Sequence, residues 1–213
     1  MRLLVTAGPT REYLDAVRFI SNASSGKMGF ACAAAAARAG HDVTLVSGPV
    51  ALADPPRVRT IRVTSADEMY RAVLKAYSKA DAVIMTAAVG DYRPAERVAG
   101  KLKKNAEALT LRLVRTRDIL KELGRKKGKR VLVGFALEVP LDSARGEQDA
   151  VHQALLKYKK KNLDYVVLNT PRTFAADRMD CQVYREGKVV KRFRRSTKTE
   201  VARWIVAALA ALA

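Results

Sequence analysis

Short apolar runs alternate along this chain with stretches of helical periodicity, and few folds tolerate that pattern. Leu3–Thr6 reads as a buried strand followed by a long Gly/Ser/Pro-rich loop from Ala7 to Gly26. Met28–Arg38, with its Ala33–Ala37 run, is a strong helix former that Gly40 can close. Strands are expected at Asp42–Ser47 and Arg59–Val63. Ser65 stands where a helix cap is needed, and Glu68 three residues later supplies a capping box for a helix reaching about Lys79. Ala82–Thr86 is again apolar. Such β-α-β alternation predicts an α/β, Rossmann-like fold, a mostly parallel sheet with helices on both faces.

Beyond Thr86 the pattern breaks. Ala87–Ala108 is polar, contains Gly90, Pro94 and Gly100, and reads as a basic flap. Leu109–Val114 alternates apolar with polar residues, as a half-exposed strand does. A short helix over Asp118–Arg125, a buried strand at Val131–Ala136, a helix from about Glu147 to Lys160 and a strand at Tyr165–Leu168 follow. Cys181–Arg185 and Val189–Phe193 flank Glu186-Gly187-Lys188 as a β-hairpin, and Lys198–Leu212 is a final amphipathic helix. With no repeat and no long linker, the 213 residues suit a single domain, 1–213.

Charge narrows the partner. The chain carries 40 Lys+Arg against 21 Asp+Glu, a formal net charge of +19. The first hundred residues contribute +4 and the remainder +15. Clusters lie at Lys101, Lys103 and Lys104, at Arg125–Arg130, at Lys157–Lys161 and at Lys191–Arg195. They suit a solvated basic face, a nucleic acid or a phosphorylated small molecule. A nucleic-acid-binding protein is disfavoured: aromatic residues are only 6%, and there is no recognition-helix or finger pattern. Two cysteines exclude a disulfide framework and match no zinc-ligand spacing. The apolar run WIVAALAALA is too short to span a bilayer of about 30 Å, and MRLLVTAGPT is no signal peptide. A soluble cytoplasmic protein with an anionic partner is therefore expected.

In an open α/β sheet, ligands bind outside the carboxyl ends of the strands. Gly8–Gly26, Thr86–Lys104 and Phe135–Glu138 fall there. The first holds SSGKMG, where glycine, hydroxyls and a helix N-terminus coincide, so backbone N–H groups at Ser24, Ser25 and Gly26 can hold phosphate oxygens. A tight turn that needs Gly26 is the alternative. It is not a P-loop: Ser21 and Met28 replace the required glycine and hydroxyl residue. The GxGxxG spacing is also absent, which disfavours an NAD(P)-binding oxidoreductase.

AGPTREYLDAVRFISNASSGKMG (7–29), AAVGDYRPAE…GKLKK (87–104) and KKNLDYVVLN (160–169) together resemble phosphopantothenoylcysteine synthetase, the phosphopantothenate–cysteine ligase of coenzyme A biosynthesis. The resemblance runs across essentially the whole chain and implies the synthetase in stand-alone form. The flavin-dependent decarboxylase often fused ahead of it would precede Met1, so no FMN is expected. It implies activation of 4′-phosphopantothenate with CTP as an acyl-cytidylate, release of pyrophosphate, and condensation with L-cysteine. It also implies Mg²⁺, a homodimer with the flap or the 109–114 strand as exchange elements, and a separate decarboxylase partner. Carried over by motif, Asn22 holds the acyl-cytidylate, Arg18 contacts the pantothenate end and Lys101 is the catalytic lysine of the flap. Met85, Thr86, Ala87, Asp91, Lys101, Arg117, Asp118, Ile119, Leu120, Phe135, Lys157 and Lys161 form the nucleotide set. Ala88 joins Asn22, Ser24, Ser25 and Gly26 on the substrate, and Asp91 helps position Mg²⁺.

The chain departs from the family pattern in three places. Thr116-Arg117-Asp118 stands for the usual Asn-Pro-Asp. Leu137 and Val139 depart from GFAxET, and Phe174–Met179 loses the serine and asparagine of FxSDxN. Nucleotide preference is the property these changes bear on.

Overall fold

The computed structural model describes residues 1–103, 107–137, 146–169 and 177–212. The first strand, β1 (Arg2–Ala7), enters a loop that contains a small antiparallel pair, β2 (Arg11–Tyr13) and β3 (Phe19–Ser21). Helix α1 (Lys27–Arg38), β4 (Asp42–Ser47), β5 (Val58–Arg62), α2 (Ala66–Tyr77) and β6 (Ala82–Met85) follow. The flap segment begins with β7 (Tyr92–Pro94), which pairs antiparallel with β8 (Leu113–Arg115). Then come α3 (Ile119–Arg125), β9 (Val131–Leu137), α4 (Gly146–Lys160) and β10 (Tyr165–Asn169). The hairpin β11 (Arg178–Arg185) and β12 (Lys188–Thr197) leads into α5 (Lys198–Ala210).

Eight strands form one sheet in the order β12-β11-β10-β9-β6-β1-β4-β5, parallel from β10 through β5. The two hairpin strands extend it in antiparallel fashion. Alternate side chains leave opposite faces of each strand. Leu3, Val5 and Ala7 therefore join the core under α1 and α5, whereas Leu4 joins the one under α2, α3 and α4. This is the mostly parallel, Rossmann-like α/β sheet that the sequence predicts. α1 packs directly on α5 because its Ala33–Ala37 run, mostly buried, lets two backbones come close. Single Trp204 sits edge-on to Tyr165 and Phe193, with centroids 6.3 and 6.0 Å away.

Several local expectations change. The 7–26 loop is not free of regular structure, since β2 and β3 lie within it. Of the expected 109–114 strand only Leu113 and Val114 fall in a paired strand, β8, which ends at Arg115. The alternate leucines of this segment face out: Leu109, Leu111 and Leu113 are 62%, 40% and 41% exposed. They stand off the main sheet, where no second face covers them. Ser65 caps α2 by accepting the Glu68 amide at 3.2 Å, but Glu68 answers to the Thr64 amide at 2.8 Å. The reciprocal capping box belongs instead to α5, between Thr197 and Glu200. The hairpin turn places Glu186 and Gly187 both at positive φ, 52° and 78°, as a two-residue turn matching strand twist requires. Among the described residues, no helix is long and apolar enough to cross a membrane.

Candidate active site

The order of the sheet reverses at β1, which pairs with β4 on one side and β6 on the other. Connections leaving β1 and β6 diverge, and the crevice between them is where an open parallel sheet takes its ligand. A cavity of about 150 Å³ lies there. Ser24–Gly29 and Thr86–Ala88 line it, joined by Phe135, Leu137, Asn169, Met179 and Lys198. Gly26, at φ 74°, turns the chain into α1 without any side-chain cap. The first helical bond runs from the Phe30 amide to the Gly26 carbonyl at 3.2 Å. The amides of Lys27, Met28 and Gly29 thus present the positive end of the helix to the cavity. A Cβ on Gly29 would lie 2.5 Å from that of Ala7 and 2.7 Å from the Thr6 carbonyl, so glycine lets α1 start directly against β1.

Charge is concentrated at the mouth. Lys27 pairs with Asp177 at 2.6 Å. Burial lowers the pKa of Lys198, Lys27 lowers it further, and Asp177 opposes both. A wider groove of about 880 Å³ adjoins the cavity, shares Ser24, Ser25 and Lys27 with it, and adds Arg11 and Arg62.

The loop after β1 is stitched to the loop after β6. The Ala88 amide donates to the Gly8 carbonyl at 2.9 Å, the Gly90 amide to Thr10 Oγ1 at 2.9 Å, and Thr86 Oγ1 to the Thr6 carbonyl at 2.7 Å. Asn22 closes the seam: its Nδ2 donates to the carbonyls of Ala88 and Val89 at 3.1 and 3.2 Å. Two carbonyl acceptors fix the orientation of the amide and leave Oδ1 to accept. Arg18 is engaged in the fold: it pairs with Asp15 at 3.1 Å and donates to the Leu102 carbonyl at 3.3 Å. That contact holds the flap beside the loop, with Lys101 exposed next to it.

The expected nucleotide set divides between the two faces of the sheet. Thr86, Ala87 and Phe135 border the cavity; Phe135 packs on the α1/α5 core, whereas Ala87 packs on the opposite one. Lys157 and Lys161 belong to the segment ending α4, on the opposite side. Lys161 reaches Asp118 at 3.0 Å, and Asp118 caps α3 by accepting the Lys121 amide at 3.0 Å. Met85, Ile119 and Leu120 bury their side chains in the core, so only their backbones could meet a ligand. Arg117, in place of the family's proline, lies over the Tyr70 ring at 4.8 Å. Asp91 is exposed, and its carbonyl accepts the Thr116 amide at 2.9 Å. Lys104, Glu138, Val139 and Phe174–Ala176 lie outside the described residues.

Two buried acids escaped the sequence reading. Glu12 accepts the Ala66 amide at 2.8 Å and so caps α2 from the β1 loop. Asp15 gathers four donors. An acid in a loop signals neither burial nor long-range partners, so nothing local announced them.

A parallel sheet with an uncapped helix N-terminus at its switch point, in a cavity that Lys27 and Lys198 border, defines an α/β protein suited to anionic ligands. The chain belongs to the DNA/pantothenate metabolism flavoprotein C-terminal domain family, whose model matches residues 1–212, and the resemblance to phosphopantothenoylcysteine synthetase is borne out. It is 49% identical over 168 residues to the coenzyme A biosynthesis bifunctional protein CoaBC of Bacillus subtilis, covering 78% of this chain but 39% of that protein. A crystal structure of the C-terminal domain of a CoaBC protein is 42% identical, with a TM-score of 0.81 over 98% of this chain and 93% of that one. A Cab2 mutant in complex with phosphopantothenate-cysteine shares the fold at 15% identity, with a TM-score of 0.79 over 99% and 87% of the two chains.

Proposed function

We propose that the chain is a phosphopantothenate–cysteine ligase that uses CTP. The observation that carries this reading is the junction of Asn22 with Ala88 and Val89, which ties the loop after β1 to the start of the flap segment beside the cavity lined by Ser24–Gly29 and Thr86–Ala88. In the proposed reaction a carboxylate oxygen of 4′-phosphopantothenate attacks the α-phosphorus of CTP and pyrophosphate leaves. The amine of L-cysteine then attacks the acyl carbon, loses a proton and expels CMP. Both steps move negative charge onto phosphate or acyl oxygens, where preorganised donors act most strongly. The α1 amides with Ser24 and Ser25 hold the phosphate of the acid. Lys101 meets the triphosphate, and Asn22 Oδ1 orients the acyl nucleotide. The bound product of the Cab2 complex, on the same fold, supports the choice of substrate.

Mg²⁺ belongs to this function as the partner of the triphosphate. Asp91 is exposed, and among the described residues no three His, Cys, Asp or Glu side chains gather to hold an ion. A lone carboxylate fits Mg²⁺, which keeps several waters and takes its remaining oxygens from phosphate. Bound there, the ion would offset phosphate charge during nucleotidyl transfer. A homodimer completes the proposal.

The test is pyrophosphate release with 4′-phosphopantothenate and each nucleoside triphosphate, with and without cysteine. Release with CTP and formation of the amide are expected. No pyrophosphate with any nucleotide would exclude the function.

A further inference from the structure

Asp15 is fully buried, a position that carboxylates hold only when their oxygens are satisfied. Its Oδ1 accepts the amides of Val17 and Arg18 at 2.7 and 2.6 Å. Its Oδ2 accepts the Leu102 amide at 3.0 Å and Arg18 Nη1 at 3.1 Å. Arg18 Nη1 donates in turn to the Leu102 carbonyl at 3.3 Å. One ion pair therefore grips both main-chain polar groups of Leu102, the residue between Lys101 and Lys103. Backbone bonds flank the grip, from the Ala16 amide to the Gly100 carbonyl and from the Val98 amide to the Leu14 carbonyl, each 2.9 Å.

We infer that Asp15 is a positioning residue, which clasps the lysine flap to the loop carrying Asn22 and so assembles both halves of the site before substrate arrives. Its consequence for catalysis rests on the proposed ligase function; the clasp itself is a property of the fold. Lys101 sits on an exposed excursion, and an untethered lysine there would have to be captured anew by each triphosphate. The apparent affinity would then fall with the fraction of flap in place. Arg18 acts in the same device, holding Leu102 from the other side.

The two oxygens of Asp15 separate its tasks. Asp15→Asn keeps Oδ1 for the Val17 and Arg18 amides but turns an NH₂ toward the Leu102 amide and Arg18 Nη1, donor against donor. The flap is released while the turn persists. In the wild-type chain, hydrogen exchange followed by NMR should show the Leu102 amide protected at least about tenfold over those of Lys101 and Lys103. In Asp15→Asn that protection should vanish, and trypsin should cut the Lys101–Leu102 bond at least about tenfold faster. With 4′-phosphopantothenate, the KM for CTP should rise at least about tenfold while kcat at saturation stays near wild type. An unprotected Leu102 amide in the wild type would overturn the clasp. So would an Asp15→Asn protein with wild-type cleavage and KM and only a lower melting temperature. If the wild type releases no pyrophosphate the ligase function falls, and exchange and cleavage still decide the clasp.

Discussion

At Asn22 the side-chain amide does two things that an acid cannot do together. Nδ2 satisfies the Ala88 and Val89 carbonyls, while in the proposed function Oδ1 is the acceptor for the acyl nucleotide. Asn22→Asp would set a carboxylate oxygen against two carbonyl oxygens, losing the seam and adding repulsion. Its expected effect is a fall of at least about tenfold in amide formation, with pyrophosphate release less affected. A coupled assay that follows pyrophosphate and product separately checks this, and wild-type rates of both would exclude the role. Lys101→Gln should act on the earlier step, slowing nucleotidyl transfer roughly tenfold to a hundredfold. Normal accumulation of the acyl nucleotide in single-turnover experiments would count against it. Asn22 and Lys101 stood out in the sequence because they lie in long motifs. Glu12 and Asp15 did not, since their meaning resides in amides at Ala66 and Leu102 that only folding brings near.

Elements position these residues through close backbone approach and through capping. Gly29→Ala should destabilise the chain by about 2–3 kcal/mol, because its Cβ would overlap β1 and neither backbone can yield cheaply. Denaturant unfolding followed by Trp204 fluorescence measures it, and an unchanged midpoint would show that α1 can shift. Two basic clusters also find structural uses at this scale. Arg130 stacks on Tyr77 and donates to the carbonyls of Ser78 and Ala80, Lys127 pairs with Asp164, and Lys126 pairs with Glu122. The Lys191–Arg195 cluster lies on β12, the terminal strand of the sheet. Charges there deter another strand from adding to the open edge.

For the whole molecule, acid should act through carboxylates held well below their usual range. The amides of Arg18 and Val17 hold Asp15 at about 2, and the guanidinium and amide of Arg2 hold Asp81 at about 2. Unfolding returns both to ordinary values near 3.9. Their stabilisation is therefore complete above about pH 5 and is lost as pH falls toward 2. Urea midpoints should decline below pH 4, and Asp81→Asn should show a shallower decline there. The exposed leucines at 109, 111 and 113 bear on assembly. If this strand pairs with a second copy, Leu111→Lys should shift a sedimentation-defined dimer to monomer; an unchanged mass would place the interface elsewhere. The sequence by itself determined the order of the main-sheet strands and the helices, because burial on two faces writes apolar runs and helical periodicity directly into the residues. It also determined the family and the loops that carry its motifs. Tertiary structure alone decided which side chains those loops share. It divided the expected nucleotide set between two faces of the sheet, sent Ile119 and Leu120 into the core, and closed Asp15 and Arg18 around Leu102. The reason is physical: periodicity reports the local geometry of a chain, whereas a hydrogen bond between residues 15 and 102 exists only once a sheet has brought distant loops to the same edge.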